Sequence, residues 1–252
     1  MINPMDLIEK RILVVGASSG IGRDTAILLS ELGAKVILIS RSIEKLNETF
    51  TKLTGENHKY YSYDLNDIEG IEELTKIIVK DNGPINGLVY CAGSSKMKPL
   101  NMLKSSFLHD IMKVNLFSFI ELVRCFTKRT AYAEGMSIIG LSSVASDIGD
   151  KGNIAYCSSK AAMNGAIRAM AKELSSKKIR VNSIKPGFIK TDMYTEYVNA
   201  VGENNADSHI LNRQYLGLGE TRDIAYMIAY LLSDASRFIT GTEVAVDGGY
   251  LS

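Results

Sequence analysis

The sequence predicts a doubly wound α/β domain, a mostly parallel sheet of about seven strands with helices on both faces. Three observations carry that prediction. Short apolar runs alternate with longer stretches of helical period along the whole chain. A glycine-rich turn, Gly16 to Gly22, separates the first apolar run from the first helical stretch. No linker, repeat or low-complexity segment breaks the alternation, so residues 1–252 read as a single domain. Alternation of this regularity builds βαβ units, whose crossover helices cover both faces of a parallel sheet.

The elements follow in order. ILVV at 12–15 is a buried strand, and the amphipathic stretch Arg23–Leu32 is a helix stopped by Gly33. KVILIS, Lys35–Ser40, is the second strand, followed by a polar helix over Ile43–Leu53 and a third strand around Lys59–Tyr63. Helical periodicity over Ile68–Val79 ends before the breaker Asn82-Gly83-Pro84. Gly87–Cys91 is the fourth strand, Leu108–Thr127 a long helix, and Met136–Leu141 the fifth strand. A helix from Asn153 to about Ser175 leads to the sixth strand, Ile179–Ile184, closed by Pro186-Gly187. A helix over Arg222–Leu232 and a short strand at Glu243–Val246 complete the series. Ahead of that helix, Thr191–Leu218 is polar, tyrosine-bearing and weakly periodic, and reads as an irregular substrate lid at 191–218.

Composition narrows the function classes. Hydrophobic residues make up 46% of the chain, enough for a large core. With 29 basic and 28 acidic residues the net charge is +1, so no charge excess points to nucleic acid or an acidic membrane. Cys91, Cys125 and Cys157 are odd in number and far apart, which fits reduced thiols better than a disulfide frame. His58, His109 and His209 have no partners at ligand spacing, so no metal site is expected. The start of the chain lacks an apolar signal core and no run approaches the ~20 residues of a membrane span, so a cytoplasmic location is expected.

The glycine turn reads GASSGIG, and its position between a strand and a helix is what gives it meaning. Gly16, Gly20 and Gly22 permit a tight turn, close backbone approach to a pyrophosphate and close helix–strand packing. Ser18, Ser19 and Ile21 fill the turn, and the helix that follows offers its positive N-terminal end to phosphate. The fold is therefore Rossmann-like, with a nucleotide site at this turn.

A second constellation lies further on. Ser143 follows the fifth strand, Tyr156 comes thirteen residues later and Lys160 four after that. On a helix the spacing of four puts Tyr156 and Lys160 on one face, a turn apart. An ammonium about 4 Å from the phenol, at an effective dielectric of roughly 20, favours phenolate by about 4 kcal/mol. Lys160 is therefore expected to lower the Tyr156 pKa toward neutrality, making it a usable general acid or base. The alternative is a surface helix that carries an unremarkable Tyr and Lys.

The spacing GxxxGxG together with Ser143, Tyr156 and Lys160 resembles the short-chain dehydrogenase/reductase family over nearly the whole chain. Cys91-Ala92-Gly93 looks like the second half of that family's NNAG stretch, and Asn115 matches the asparagine of its catalytic tetrad. Pro186-Gly187, with Ile189 and Thr191 beyond, is similar to its nicotinamide-side motif, and Phe238–Tyr250 to its closing segment. The resemblance implies that Tyr156 exchanges a proton with the substrate oxygen, Lys160 tunes Tyr156 and holds the nicotinamide ribose, and Ser143 binds the substrate oxygen. It implies that Asn115 supports a proton relay to Lys160, and that Asp64, beside Leu65, holds the adenine amino group; the plainer reading of Asp64 is a helix N-cap. It further implies a tetramer or dimer built on the helices near 108–127 and 153–175. Two positions depart from the family: Val15 stands where it has threonine, and Tyr90-Cys91 where it has two asparagines.

Cofactor choice turns on the end of the second strand. An NAD site usually carries an acidic residue there, whereas this strand ends Ser40-Arg41. A guanidinium pairs with a 2′-phosphate and a serine can donate to it, which favours NADP(H) over NAD(H). The closing segment and the run Gly217–Ala225 look most like bacterial 3-oxoacyl-carrier-protein reductases, and Lys128, Arg129 and Lys172 could receive an acidic carrier protein. The segment Ser94–Leu103 departs from those enzymes, which keeps a reductase of a sugar or other biosynthetic secondary alcohol in view. A cofactor-binding regulatory protein without catalysis would predict a broken tetrad, and Asn115, Ser143, Tyr156 and Lys160 are all present.

Overall fold

The computed structural model of the chain describes residues 3–202, 210 and 213–252. Seven parallel strands form one sheet: β1 (Arg11–Val15), β2 (Lys35–Ser40), β3 (Lys59–Ser62), β4 (Ile85–Tyr90), β5 (Tyr132–Leu141), β6 (Arg180–Pro186) and β7 (Glu243–Val246). Their order is β3-β2-β1-β4-β5-β6-β7. The chain winds outward from β1 to β3, returns to β4 and winds the other way. The reversal falls between β1 and β4, and a crevice opens at the carboxyl ends of those two strands.

Strand alternation sends successive side chains to opposite faces, and here both faces are dry. Leu13 and Val15 of β1 join a core with Ile78, Phe119, Phe126, Met163 and Ile167. Ile12 and Val14 join the other, with Leu29, Leu46, Ile228 and Leu232. The first core is closed by helices α3 (Ile71–Asn82), α5 (Ser118–Phe126) and α6 (Ile154–Leu174). The second is closed by α1 (Gly20–Glu31), α2 (Ile43–Phe50) and a C-terminal helix at Thr221–Leu232. No helix among the described residues is long and apolar enough to cross a membrane.

Three elements differ from the sequence expectation. The long helix over 108–127 is two helices, α4 (Ser105–Met112) and α5, joined by a π-turn at Lys113–Phe117. The fifth strand begins earlier, at Tyr132, and its pairing register with β4 slips between Ile85 and Gly87. Part of the expected irregular lid is helical: α7 covers Asp192–Val201, with Thr191 Oγ1 as its N-cap accepting from the Tyr194 amide at 3.2 Å. No residue of α7 is buried, so it carries no apolar stripe for a periodicity to register. Residues 203–209 and 211–212 of the lid, including His209, lie outside the described residues. The C-terminal helix Thr221–Leu232 is α8.

Helix α1 sits tightly on the strand before it because Gly22 has no side chain. A Cβ there would stand 2.2 Å from the Gly16 carbonyl oxygen, a backbone atom that cannot swing away. Gly22→Ala is expected to cost about 1–3 kcal/mol through overpacking. Urea unfolding should show a lower midpoint at unchanged slope, and an unchanged midpoint would mean that the turn relaxes freely.

Candidate active site

The glycine turn ties three strand ends together. Gly16 N–H donates to the Ile39 carbonyl at 2.8 Å, and Cys91 N–H donates to the Val15 carbonyl at 2.8 Å. Gly16 has φ +85°, and a Cβ on it would lie 2.6 Å from the Ala92 nitrogen, so only glycine fits. Gly20 has φ +51° and faces Thr191, whose Cγ2 would be 3.3 Å from an added Cβ. Ser19 precedes α1 without a side-chain capping bond, so no side chain answers the helix's first amides. A backbone cradle at a helix N-terminus fits a pyrophosphate, and the residues present therefore fit a dinucleotide.

Around the cradle, Ser40 Oγ donates to Ser18 Oγ at 2.8 Å. Arg41 is exposed, and no hydrogen bond or ion pair among the described residues uses its guanidinium. The neighbouring cation, Arg23, is already committed to the Ser18 carbonyl and to Glu48. Asp64 is no helix N-cap: its Oδ1 accepts from Asn66 N at 3.0 Å and Asn66 Nδ2 at 2.9 Å, while α3 starts after Gly70. Leu65 is buried beneath it. Across the crevice, Pro186 ends β6, and Gly187, Ile189 and Thr191 lead into α7.

The catalytic candidates converge from three elements. Ser143 caps a short turn after β5, and its Oγ accepts from Ala145 N at 3.1 Å and lies within hydrogen-bonding reach of Tyr156. Ser142 is buried, with its hydroxyl turned to the Lys160 carbonyl at 3.3 Å. Helix α6 presents Tyr156 and Lys160 one turn apart. Asn115, fully buried on the π-turn, accepts from Ser94 N at 2.8 Å and donates to the Ser94 carbonyl at 3.1 Å and to Ser159 Oγ at 2.9 Å. A Cβ placed on Gly93 would lie 3.5 Å from Lys160 Nζ and 3.6 Å from Asn115 Oδ1, so both groups border the loop after β4.

The electrostatics correct one expectation. Tyr156 lies above the ordinary phenol value, because burial disfavours phenolate; the Ser143 hydroxyl opposes that shift, and Lys160 does not drive it. The reason is geometric. Lys160 Nζ turns to the Leu141 carbonyl at 2.6 Å and sits 5.7 Å from the centre of the Tyr156 ring. Burial also brings the Lys160 ammonium down to about 8. Burial thus works against the charged form of both residues.

Sequence spacing missed two supporting residues. Ser159 links Asn115 to α6 and donates to the Tyr156 carbonyl at 2.7 Å; its place three residues after Tyr156 was the available signal. Gln214 is buried and clamps the loop after β6, accepting from Phe188 N at 2.8 Å and donating to the Phe188 carbonyl at 3.0 Å. Nothing local in the sequence marks it. Of the lid tyrosines, Tyr197 packs on Phe188 with ring centroids 5.1 Å apart, while Tyr215 is exposed.

The other reactive groups are committed elsewhere. Burial raises all three thiols, Cys91 to about 12. His58 Nδ1 accepts from Val36 N at 3.0 Å, leaving Nε2–H to donate to the Thr54 carbonyl at 2.9 Å. Glu72, Glu121 and Cys125 bring three ligand-type atoms within 4.8 Å of one another. Both carboxylates are already paired, with Arg124 at 2.6 and 2.7 Å and Lys128 at 2.7 Å. Hydrogen bonding from Lys128 and then Arg124 holds the Glu72 carboxyl down at about 2.

A nucleotide cradle at the switch point of a parallel sheet, facing a Ser–Tyr–Lys cluster, defines a nucleotide-dependent oxidoreductase. The comparisons agree. The family described as enoyl-(acyl carrier protein) reductase matches residues 16–251. A 3-oxoacyl-[acyl-carrier-protein] reductase FabG of Haemophilus influenzae is 38% identical over 95% of this chain and 98% of its own. The protein of that name from Thermotoga maritima is 34% identical over 97% and 99%. A solved short-chain type dehydrogenase/reductase from Mycobacterium ulcerans superposes with a TM-score of 0.89 at 28% identity, covering 98% of this chain and 91% of its own. The chain belongs to the short-chain dehydrogenase/reductase family and is an oxidoreductase acting between CH–OH and carbonyl groups, with a nicotinamide cofactor.

The buried lysine has a measurable signature in the ligand-free protein. Its folded value near 8 lies below the unfolded value of about 10.4, so between those limits the unfolded chain binds more protons. Wild-type stability therefore gains from this group as pH rises from 8 to 10. Lys160→Met is expected to be more stable than wild type at pH 7, by up to about 3 kcal/mol, with the gap closing toward pH 10. A gap independent of pH would show that Lys160 is not desolvated as described.

Proposed function

We propose that the chain is an NADP(H)-dependent reductase of 3-oxoacyl thioesters, working as one domain with the lid at 191–218 over its substrate. The observation that carries the proposal is the convergence of two hydroxyls, Ser143 and Tyr156, beside a buried lysine. Two adjacent hydroxyls suit a carbonyl oxygen. The relatives named for 3-oxoacyl reduction support the substrate class.

A bound nicotinamide supplies the hydride. Ser143 holds the substrate oxygen by hydrogen bonding, and Tyr156 gives that oxygen its proton as charge develops on it. The raised pKa of the half-buried phenol keeps it protonated before the reaction, the form a general acid needs. Lys160 Nζ borders the loop after β4 and would hold the nicotinamide ribose there, its ammonium favouring the phenolate left behind. Asn115 supports the proton supply to Lys160. Gly16, Ser18, Ser19, Gly20, Ile21 and Gly22 would cradle the pyrophosphate, Asp64 and Leu65 the adenine, and Ala92, Gly93, Pro186, Gly187, Ile189 and Thr191 the nicotinamide half. Ser40 and the unengaged guanidinium of Arg41 would receive a 2′-phosphate. Arg129 and Lys172, both exposed, would meet an acidic carrier protein, while Lys128 is committed to Glu72 at 2.7 Å. A dimer or tetramer would use α5 and α6, and a cytoplasmic location fits this work.

Three measurements test the proposal. Purified protein should oxidise NADPH, and NADH poorly, with an acetoacetyl thioester; preference for NADH would overturn the cofactor assignment. Arg41→Asp should raise KM for NADPH at least about tenfold while sparing NADH, the loss of one charge-assisted pair. Tyr156→Phe should abolish turnover yet keep NADPH binding, and full activity in that variant would remove Tyr156 from the chemistry. Tight NADPH binding without thioester turnover would move the substrate to a sugar or another secondary alcohol.

A further inference from the structure

Tyr90 ends β4 at a place where the family resemblance leads one to expect asparagine. It is fully buried, and its ring packs on Phe119 with centroids 5.3 Å apart. The hydroxyl makes contacts that core filling does not require. It donates to the Val114 carbonyl and lies 2.6 Å from Ser118 Oγ, and both partners belong to the π-turn region.

The π-turn explains why a hydroxyl is needed there. Its closing bond runs from Ser118 N–H to the Lys113 carbonyl, five residues back. In an α-helix that amide would have gone to Val114. The Val114 carbonyl instead accepts from the Tyr90 hydroxyl, and Ser118 Oγ, 3.0 Å from both the Lys113 and Val114 carbonyls and 2.6 Å from the phenol oxygen, shares its one proton among these acceptors. A buried carbonyl left short of donors costs free energy, so these hydroxyls stabilise the turn against return to α-helix. Burial also keeps the Tyr90 phenol protonated and thus a donor. The π-turn shifts the phase of the helix at this point, and Asn115 lies within it.

We propose that Tyr90 is a positioning residue of the active site: its buried hydroxyl pins the π-turn that aims Asn115 at Ser94 and Ser159, and thereby at the helix carrying Tyr156 and Lys160. This rests on the reading of Asn115 as part of the proton supply. A tyrosine that only fills the core would leave catalysis untouched when its hydroxyl is removed.

The test is a double-mutant cycle in the full chain with Tyr90→Phe, Asn115→Ala and both together. It uses saturating NADPH and an acetoacetyl thioester or, should the protein refuse that, a secondary alcohol that it oxidises. Tyr90→Phe should lower kcat about tenfold with the NADPH Kd within about twofold, as expected for a misplaced group outside the cofactor site. Its pH profile should move in the same direction as that of Asn115→Ala. The double variant should be no slower than Asn115→Ala alone, because the two act as a unit. Losses that multiply, or a Tyr90→Phe enzyme with wild-type kcat and only a lower Tm, would overturn the proposal. Unchanged kcat in Asn115→Ala would refute the relay reading itself, a result separate from the cycle. Should Tyr90→Phe fail to fold, Ser118→Ala, which removes the hydroxyl that Tyr90 meets, takes its place in the cycle with the same expectations.

Discussion

The structure depends on one close approach of backbone to backbone, where Gly16 passes Ala92 and Gly22 passes Gly16. An added Cβ would come within 2.6 Å of the Ala92 nitrogen in the first case and 2.2 Å of the Gly16 oxygen in the second. These distances bring the ends of β1 and β4 and the start of α1 together with no side chain between them. The crevice at the switch point is therefore lined by amides and carbonyls, which suits a phosphate-bearing ligand. The two dry cores hold that geometry from either face, since strands buried on both sides have little freedom to shift.

On the catalytic side the dominant force is desolvation. Spacing alone suggested that charge attraction would rule the Tyr156–Lys160 pair. In the fold, burial lowers the lysine to about 8 and raises the tyrosine, so it works against the charged form of each. Holding the Lys160 ammonium in such a place costs stability, because burial disfavours its charge. The Leu141 carbonyl, 2.6 Å from Nζ, fixes where that ammonium sits.

Much of this was legible in the chain, for identifiable reasons. Buried strands such as ILVV and KVILIS declare themselves because both faces of the sheet are covered. The glycine turn is legible because only glycine survives such contacts, Tyr156 with Lys160 because their spacing matches a helix face, and Ser143 through the family's thirteen-residue step to Tyr156. The π-turn was not legible: one inserted residue hardly alters the period of a pattern twenty residues long. Nor was α7, which buries nothing. The Asp64 turn with Asn66 and the Gln214 clamp depend on hydrogen bonds that residue type alone does not announce. The direction of the Tyr156 shift is a property of burial, which spacing does not encode.

The cofactor half and the catalytic half of the site turn out to share one support, the loop that follows β4. Its first residues lie against the glycine turn, through Ala92 and Cys91. Its next residue, Ser94, holds both ends of the Asn115 side-chain amide, and Asn115 holds Ser159, whose hydroxyl donates to the Tyr156 carbonyl. This loop is therefore joined by hydrogen bonds of 2.7 to 3.1 Å to the helix that carries Tyr156. Each bond in that chain is buried or half-buried, where such contacts are stronger than at the surface. The family's asparagines at 90 and 91 are missing here, yet the loop is not slack. Tyr90 is tied to the π-turn through Val114, and Asn115 holds Ser94, so side chains other than those asparagines anchor the loop.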